Sequence, residues 1–511
     1  MERERSGKIG ERENRHWAEV LAERVVKEKE PPYVVLSGIT TSGPCHLGTL
    51  CEFLFPSAIH KYISREHEAR FIFIADIMDA FDSVPVAMKE HERSLIPELG
   101  KPLCNVLDPL GCHNSFGEHF LMETVEIMQE FGVSPEIMRA NEMYAAGMYD
   151  RYAKMFMESQ EEMRKLVFET SLRKDSGEYW SPLMPICEKC GKMATTRVLE
   201  WKSGAYRYEC VGKGEIEGCG HVGEGRIEEH EYKVTWRLDW PSRQDFLHAS
   251  IEGAGVDHMT RGGSWDTAKA VHKRIFCKEP PIGYKFGFIL FKGKKYSKSK
   301  GEGMGVRELL SLVPPEIIKY ALFRPDLEEN IDFDPSGYKL IDLYNDFLYA
   351  SSLSDNGGLS RADRKKLVAF QLACESKLFS AQFTDFLLYY QLYKNWEKVG
   401  ELIGDKEGAK NLQKYIENWI KEGYAPEEYS FSFNPQKPSE EVKKFVRSLQ
   451  EGMSAVEIHN SVFKFARENG MEPSELFKML YMALIGKERG PRMGRLIEAI
   501  GIKEVKRALL E

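Results

Sequence analysis

A glycine-rich loop joins an apolar run to the start of a helix, and this junction limits the possible folds more than any other stretch. Tyr33-Val-Val-Leu36 reads as a buried parallel strand. Ser37 to Thr49 follows, with Gly38, Gly43 and Gly48 along it and His46 near its end. Leu50 to Phe55 can then begin a helix. Strand, glycine loop and helix N-terminus together make a site for anions: backbone N–H groups face the crevice, and the helix dipole favours negative charge. The glycines permit close backbone approach. Alone, such a loop is also an ordinary strand-to-helix turn. A second stretch changes the balance. Gly293 to Gly301 carries Lys294, Lys295, Lys298 and Lys300 with Ser297 and Ser299, behind an expected strand at Phe286 to Phe291. Ammonium groups on flexible stems suit a leaving group with several negative charges.

His46-Leu-Gly-Thr49 resembles the HIGH signature of class I aminoacyl-tRNA synthetases, and Lys295-Tyr-Ser-Lys-Ser299 resembles their KMSKS signature. The order and wide separation also fit. Thr49 stands for the last His and Tyr296 for Met. The resemblance implies an α/β fold: a Rossmann-like parallel-sheet catalytic domain with a zinc-ribbon insertion, then an all-α C-terminal anticodon-binding domain. The expected bounds are 1–310 for the catalytic domain, 181–231 for the ribbon within it, 311–365 for a helical connecting region and 366–511 for the anticodon domain. The same resemblance assigns catalysis to His46, Lys298 and Lys295. It assigns ATP contacts to Gly43, His46, Gly48, Thr49 and Lys298, with magnesium carried in by ATP. Gly255-Val-Asp257 matches the family's ribose-binding Gly-x-Asp segment, where a carboxylate accepts two hydroxyls.

Ala69 to Ala75 reads as a second buried strand and runs into Asp76, Asp79 and Asp82. Carboxylates at the C-terminal end of a parallel strand stand where an α/β sheet opens its crevice. Asp76 and Asp79 suit a cationic substrate there; singly, each is as well explained as a cap or a solvated turn. Gly38, Thr40, Trp236, His258 and Tyr284 match positions of the lysine pocket in class I lysine enzymes. Such a pocket needs an apolar wall for four methylenes and polar groups at the tip. Taken alone, Trp236 and Tyr284 are core aromatics. The implied reaction is activation of L-lysine with ATP and transfer to tRNA(Lys). A class I enzyme for glutamate or cysteine, and a tRNA-binding regulator without catalysis, remain as alternatives.

Two groups of metal donors stand out. Cys187-Glu-Lys-Cys190, Cys210 and Cys219 are spaced as in a zinc ribbon, with His221 a rival to Cys219 for the fourth place. Asp108, Cys112, His113 and His119 supply four mixed donors within twelve residues, a set that closes a zinc shell or merely forms a polar loop. A comparable cluster in archaeal-type class I lysine enzymes favours metal. At 511 residues the chain exceeds a single core. Its net charge of −8 leaves nucleic-acid binding open, because local basic patches decide it. Tyr232 to Pro241 is expected as a strand, Glu123 to Phe168 as mainly helical, and the chain after Ser336 as helical almost throughout. A charged N-terminal stretch and the lack of a long apolar run lead to an expected cytoplasmic monomer away from membranes.

Overall fold

The computed structural model describes residues 15–175, 179–295, 304–355 and 357–511. The chain divides into two compact units. One comprises residues up to Arg307 with Leu322–Phe333 and Ser360–Lys365; the other comprises Glu308–Ala321, Asp334–Leu359 and Lys366–Glu511. No helix among the described residues is long and apolar enough to cross a membrane.

In the first unit, α1 (Trp17–Glu28) leads into β1 (Tyr33–Ile39), α2 (Leu47–Ile63) and β2 (Ala69–Ala75). Then come α3 (Phe116–Glu130) and β3 (Glu136–Arg139), and later α4 (Trp236–Phe246), β4 (Ile251–Gly255), α5 (Ser264–Arg274) and β5 (Ile282–Phe286). The five strands form one sheet in the order β5-β4-β1-β2-β3, parallel throughout. β1 and β2 pair in step from Tyr33 with Ala69 to Ile39 with Ala75. Val35, Leu36, Ile72, Phe73 and Ile74 are wholly buried. A sheet covered on both faces needs such unbroken apolar runs, which is why these strands were readable in the sequence. The strand order reverses between β1 and β4, so the crevice opens beyond their C-terminal ends.

Three stretches differ from expectation. β3 interrupts the region read as mainly helical; Glu-Ile-Met-Arg is a half-exposed edge strand with charged ends and no apolar run. Strand character from Tyr232 stops at Val234, and Trp236 begins α4. Trp236 and Trp240 stack four residues apart with rings 5.5 Å between centroids. Asp239 and Arg243 share that four-residue spacing, and both are buried. Phe286 to Phe291 is two strands, because β5 ends at Phe286 and Ile289–Phe291 pairs with Ile331–Phe333 in another sheet.

An antiparallel three-stranded sheet, Thr196–Lys202, Ala205–Cys210 and Val222–Arg226, forms the insertion between α3 and α4. The second unit is helical. Glu440–Ser448, Ala455–Glu468, Pro473–Ile485 and Met493–Ile500 pack around Phe445, Ile458, Val462, Leu480 and Ile497. The stretch from Phe383 is broken at Lys394, whose φ of 50° ends one helix before Trp396 begins the next.

Candidate active site

A cavity of about 430 Å³ opens at the strand-order reversal. β1 and the loop after it bring Gly38, Thr40, Gly43, His46, Gly48 and Thr49 to its wall; β2 brings Asp76 and Asp79; α4 and the turn after β4 bring Trp236 and His258. Ten of the residues singled out in the sequence therefore share one space. Gly255 and Asp257 stand beside His258 at the end of β4 but do not line it. Tyr284 lies behind the wall: a Cβ on Gly253 would fall 2.2 Å from its ring. Only glycine at 253 lets that tyrosine pack so close to the sheet. Lys295 pairs through its backbone with Leu290. The Lys295 side chain and Lys298 lie outside the described residues.

His46 caps α2. Its Nδ1 accepts from the Thr49 N–H at 3.2 Å, while Thr49 Oγ1 accepts from the His46 N–H at 3.3 Å. This reciprocal cap satisfies two helix-end donors. A neutral ring with Nδ1 accepting carries its proton on Nε2. Two described residues beyond the lysine-rich stretch meet this loop. Gly305 forms an antiparallel bridge with His46, and the Val306 N–H donates to the Cys45 carbonyl at 3.3 Å. Val306 is wholly buried. Arg307 then reaches Glu130 at 3.0 Å and also pairs with Glu126, both on α3.

The cavity floor is a network of charges. Arg243 donates to both oxygens of Asp76, at 2.6 and 2.8 Å, and lies 5.1 Å from the Trp236 ring centroid. Burial lifts the Asp76 carboxyl to about 7 against the pull of Arg243. Lys233 reaches Asp79 and Asp239, each at 3.0 Å. Burial opposes its ammonium, but Asp239 and Asp79 outweigh it and the pKa rises. Asp239 also accepts from Tyr144 at 2.6 Å and Tyr149 at 3.2 Å. Glu252 accepts from Gln244 at 2.6 Å and lies 3.8 Å from Arg243. Thr40 donates to Asp79.

Glu52, half-buried on α2, also lines the cavity. Burial and then the nearby Glu252 charge raise its carboxyl to about 8, with Arg243 opposing. Sequence reading missed Glu52, Lys233, Asp239, Arg243 and Glu252. Lys233, Asp239, Arg243 and Glu252 are charged residues at core positions of their elements, and that anomaly was the only available signal. Among the lining residues, Glu52, Asp76, Asp79 and Glu252 face a single cation, Arg243. Such a site has room for added positive charge.

Both donor groups close up. Cys187, Cys190, Cys210 and Cys219 keep their sulfurs within 4.8 Å of one another, with 3.6 Å from Cys187 to Cys219 and 3.7 Å from Cys190 to Cys210. Tetrahedral zinc at its usual sulfur distance needs about 3.8 Å between sulfurs. His221 instead meets Glu188 at 2.6 Å. Asp108, Cys112, His113 and His119 also gather within 4.8 Å, Cys112 Sγ lying 3.2 Å from Nδ1 of each histidine.

Comparison with known proteins matches residues 15–368 to the family described as tRNA synthetases class I (K), and residues 410–510 to an anticodon binding domain. A lysine--tRNA ligase of Archaeoglobus fulgidus is 33% identical over 96% of this chain and 98% of its own. The lysine--tRNA ligase of Methanocaldococcus jannaschii is 31% identical over 95% and 98%. That of Methanosarcina barkeri is 30% identical, covering 94% of each chain.

Proposed function

The chain belongs to the class I tRNA synthetases (K), and from that premise we propose that it is a lysine–tRNA ligase acting at the crevice of the five-stranded sheet. Its partners are ATP with magnesium, the amino acid and tRNA. In the first step a lysine carboxylate oxygen attacks the α-phosphorus, the bond to pyrophosphate breaks, and lysyl-adenylate forms. In the second, the 2′-hydroxyl of the terminal adenosine of tRNA(Lys) attacks the acyl carbon and AMP leaves. In-line displacement asks the protein for positioning and charge stabilisation rather than covalent chemistry.

The His46 loop receives the phosphates. Nδ1 holds the helix cap, which directs the Nε2–H face of the ring to a phosphate oxygen, and the N-terminus of α2 adds its dipole. Gly43, Gly48 and Thr49 shape the same cradle. Lys298, with Lys295, covers the β- and γ-phosphates as charge develops; the bridge between Gly305 and His46 supports this reading. Gly255 and Asp257 take the ribose.

One observation carries the choice of lysine: four carboxyl groups line the cavity, and one of them, Glu52, has no ion-pair partner among the described residues to hold its charge. A glutamate substrate would bring a further carboxylate to a floor whose two cations, Arg243 and Lys233, are already engaged by Asp76 and Asp79. Lysine brings two ammonium groups. Glu52 receives one of them, since it has no ion-pair partner among the described residues. Asp76 and Asp79 shape the floor through Arg243 and Lys233. Trp236 and His258, with Gly38 and Thr40, wall the methylenes, and Tyr284 backs them. The two donor groups hold zinc at Cys187, Cys190, Cys210 and Cys219, and at Asp108, Cys112, His113 and His119. With all four positions taken by protein, zinc supplies loop rigidity and no reactive site.

The test is amino-acid-dependent pyrophosphate exchange, with tRNA supplied, across the twenty amino acids. Lysine alone supports it. His46→Ala and Lys298→Ala each lower kcat by on the order of 10²–10³-fold, as loss of an electrostatic transition-state contact does. Exchange with glutamate or cysteine instead of lysine, or unchanged kcat in both variants, defeats the assignment.

A further inference from the structure

A second cavity, of about 630 Å³, lies wholly within the helical unit. Lys394 and Lys487 line it with Gln391, Ser430, Ser432 and Asn434, and no aspartate or glutamate does. That is unusual in a chain with 79 acidic and 71 basic residues. Neither lysine has a carboxylate partner among the described residues. Lys394 is nonetheless held in place. Its ammonium donates to Gln391 Oε1 at 2.7 Å and lies 4.6 Å from the Tyr390 ring centroid. Gln391 is only 2% exposed, and its Nε2 has no partner. A buried amide kept for the sake of a surface lysine is an expensive arrangement unless the lysine has a task.

Each lysine follows a helix C-terminus: Lys394 comes after Phe383–Tyr393, and Lys487 comes two residues after Pro473–Ile485. Helix dipoles stabilise such cations only modestly, which leaves most of their charge unmatched. Hydroxyl and amide groups complete the lining, so the cavity offers donors to an anion with several oxygens.

We infer that this cavity binds a backbone phosphate of the tRNA anticodon arm. The inference rests on the tRNA ligase reading. It extends the region matched as an anticodon binding domain, 410–510, to Gln391 and Lys394. Two lysines supply the charge, and Ser430, Ser432 and Asn434 supply hydrogen bonds.

The experiment uses the full chain and measures binding of tRNA(Lys), an anticodon stem-loop and an acceptor minihelix over a range of salt. The double variant Lys394→Gln/Lys487→Gln binds tRNA and stem-loop about tenfold more weakly. Its salt slope is shallower by about 1–2, as expected for two lost phosphate contacts. The minihelix is unaffected, and lysine-dependent exchange at saturating tRNA is unchanged. Lys394→Arg/Lys487→Arg keeps the slope. Asn434→Asp, which adds a negative charge, weakens binding without removing a lysine. Unaltered affinity and slope in the double glutamine variant overturn the inference, as does a loss that the arginine variant fails to restore. Wild-type protein without lysine-dependent exchange refutes the ligase reading instead.

Discussion

Glu52 in the sheet crevice and Lys394 in the helical unit are both ionisable groups that line a cavity without an ion-pair partner among the described residues. Their surroundings differ. Glu52 is enclosed by α2 and faces Glu252 and Arg243 across a desolvated floor, so its charge is suppressed. Lys394 sits at a solvent-exposed rim, where the Gln391 amide oxygen and the Tyr390 ring support its ammonium. An enclosed cavity can withhold a charge until the ligand supplies its counterpart, which makes recognition selective. An open one can only offer a standing charge, which suits a repeated, sequence-independent group such as a phosphate.

If that contrast holds, Glu52→Gln causes the largest loss. Removing one partner of a desolvated charge pair costs about 2–5 kcal/mol, so kcat/KM for lysine falls on the order of 10²–10³-fold while tRNA affinity is kept. A fall below tenfold would place the ammonium elsewhere. The pH profile sharpens the same point. With its pKa raised by burial from the ordinary 4.5 to about 8, Glu52 holds a proton that lysine must displace on binding. KM for lysine therefore drops as pH rises toward about 8 and then levels, and Glu52→Gln flattens the profile. The sign for stability is opposite to that of a paired acid. The folded state keeps a proton the unfolded chain has lost, so this group's contribution declines between about 4.5 and about 8.

The smallest effect concerns orientation. His272 Nε2 donates to Gln244 Oε1 at 3.1 Å, and Gln244 Nε2 donates to Glu252 at 2.6 Å. Burial lowers the His272 pKa to about 4, so the ring is neutral across the working range. His272→Phe frees that amide and raises KM for lysine by about threefold to tenfold, the worth of one such hydrogen bond. Kinetics identical to wild type would show that Glu252 keeps its orientation unaided.

Burial decided what was legible. Tyr33 to Leu36 and Ala69 to Ala75 advertise themselves because a strand covered on both faces admits little but apolar side chains. The four ribbon cysteines advertise themselves because few other uses suit that spacing. β3 stayed hidden, since an edge strand of four residues with Glu136 and Arg139 at its ends carries no period. The crevice floor stayed hidden for another reason. Arg243 and Asp76 are 167 positions apart in the chain, and neither one predicts the other. Pairing across such a separation is set by the strand order, which no local pattern contains. The His46 loop and the lysine-rich stretch were recognisable as a pair and not singly; that Gly305 returns to touch His46 is again a product of topology.

The reciprocal cap between His46 and Thr49 gives the imidazole two employments, one architectural and one chemical. Deleting the ring removes both at once and blurs them. An asparagine at 46 keeps a carbonyl acceptor for the Thr49 amide while withdrawing the ring N–H, so comparing His46→Asn with His46→Ala separates scaffold from chemistry. It also explains why threonine is at home at 49: its hydroxyl completes the clasp that aims the imidazole, a service the larger ring of a second histidine would have to render in a different geometry.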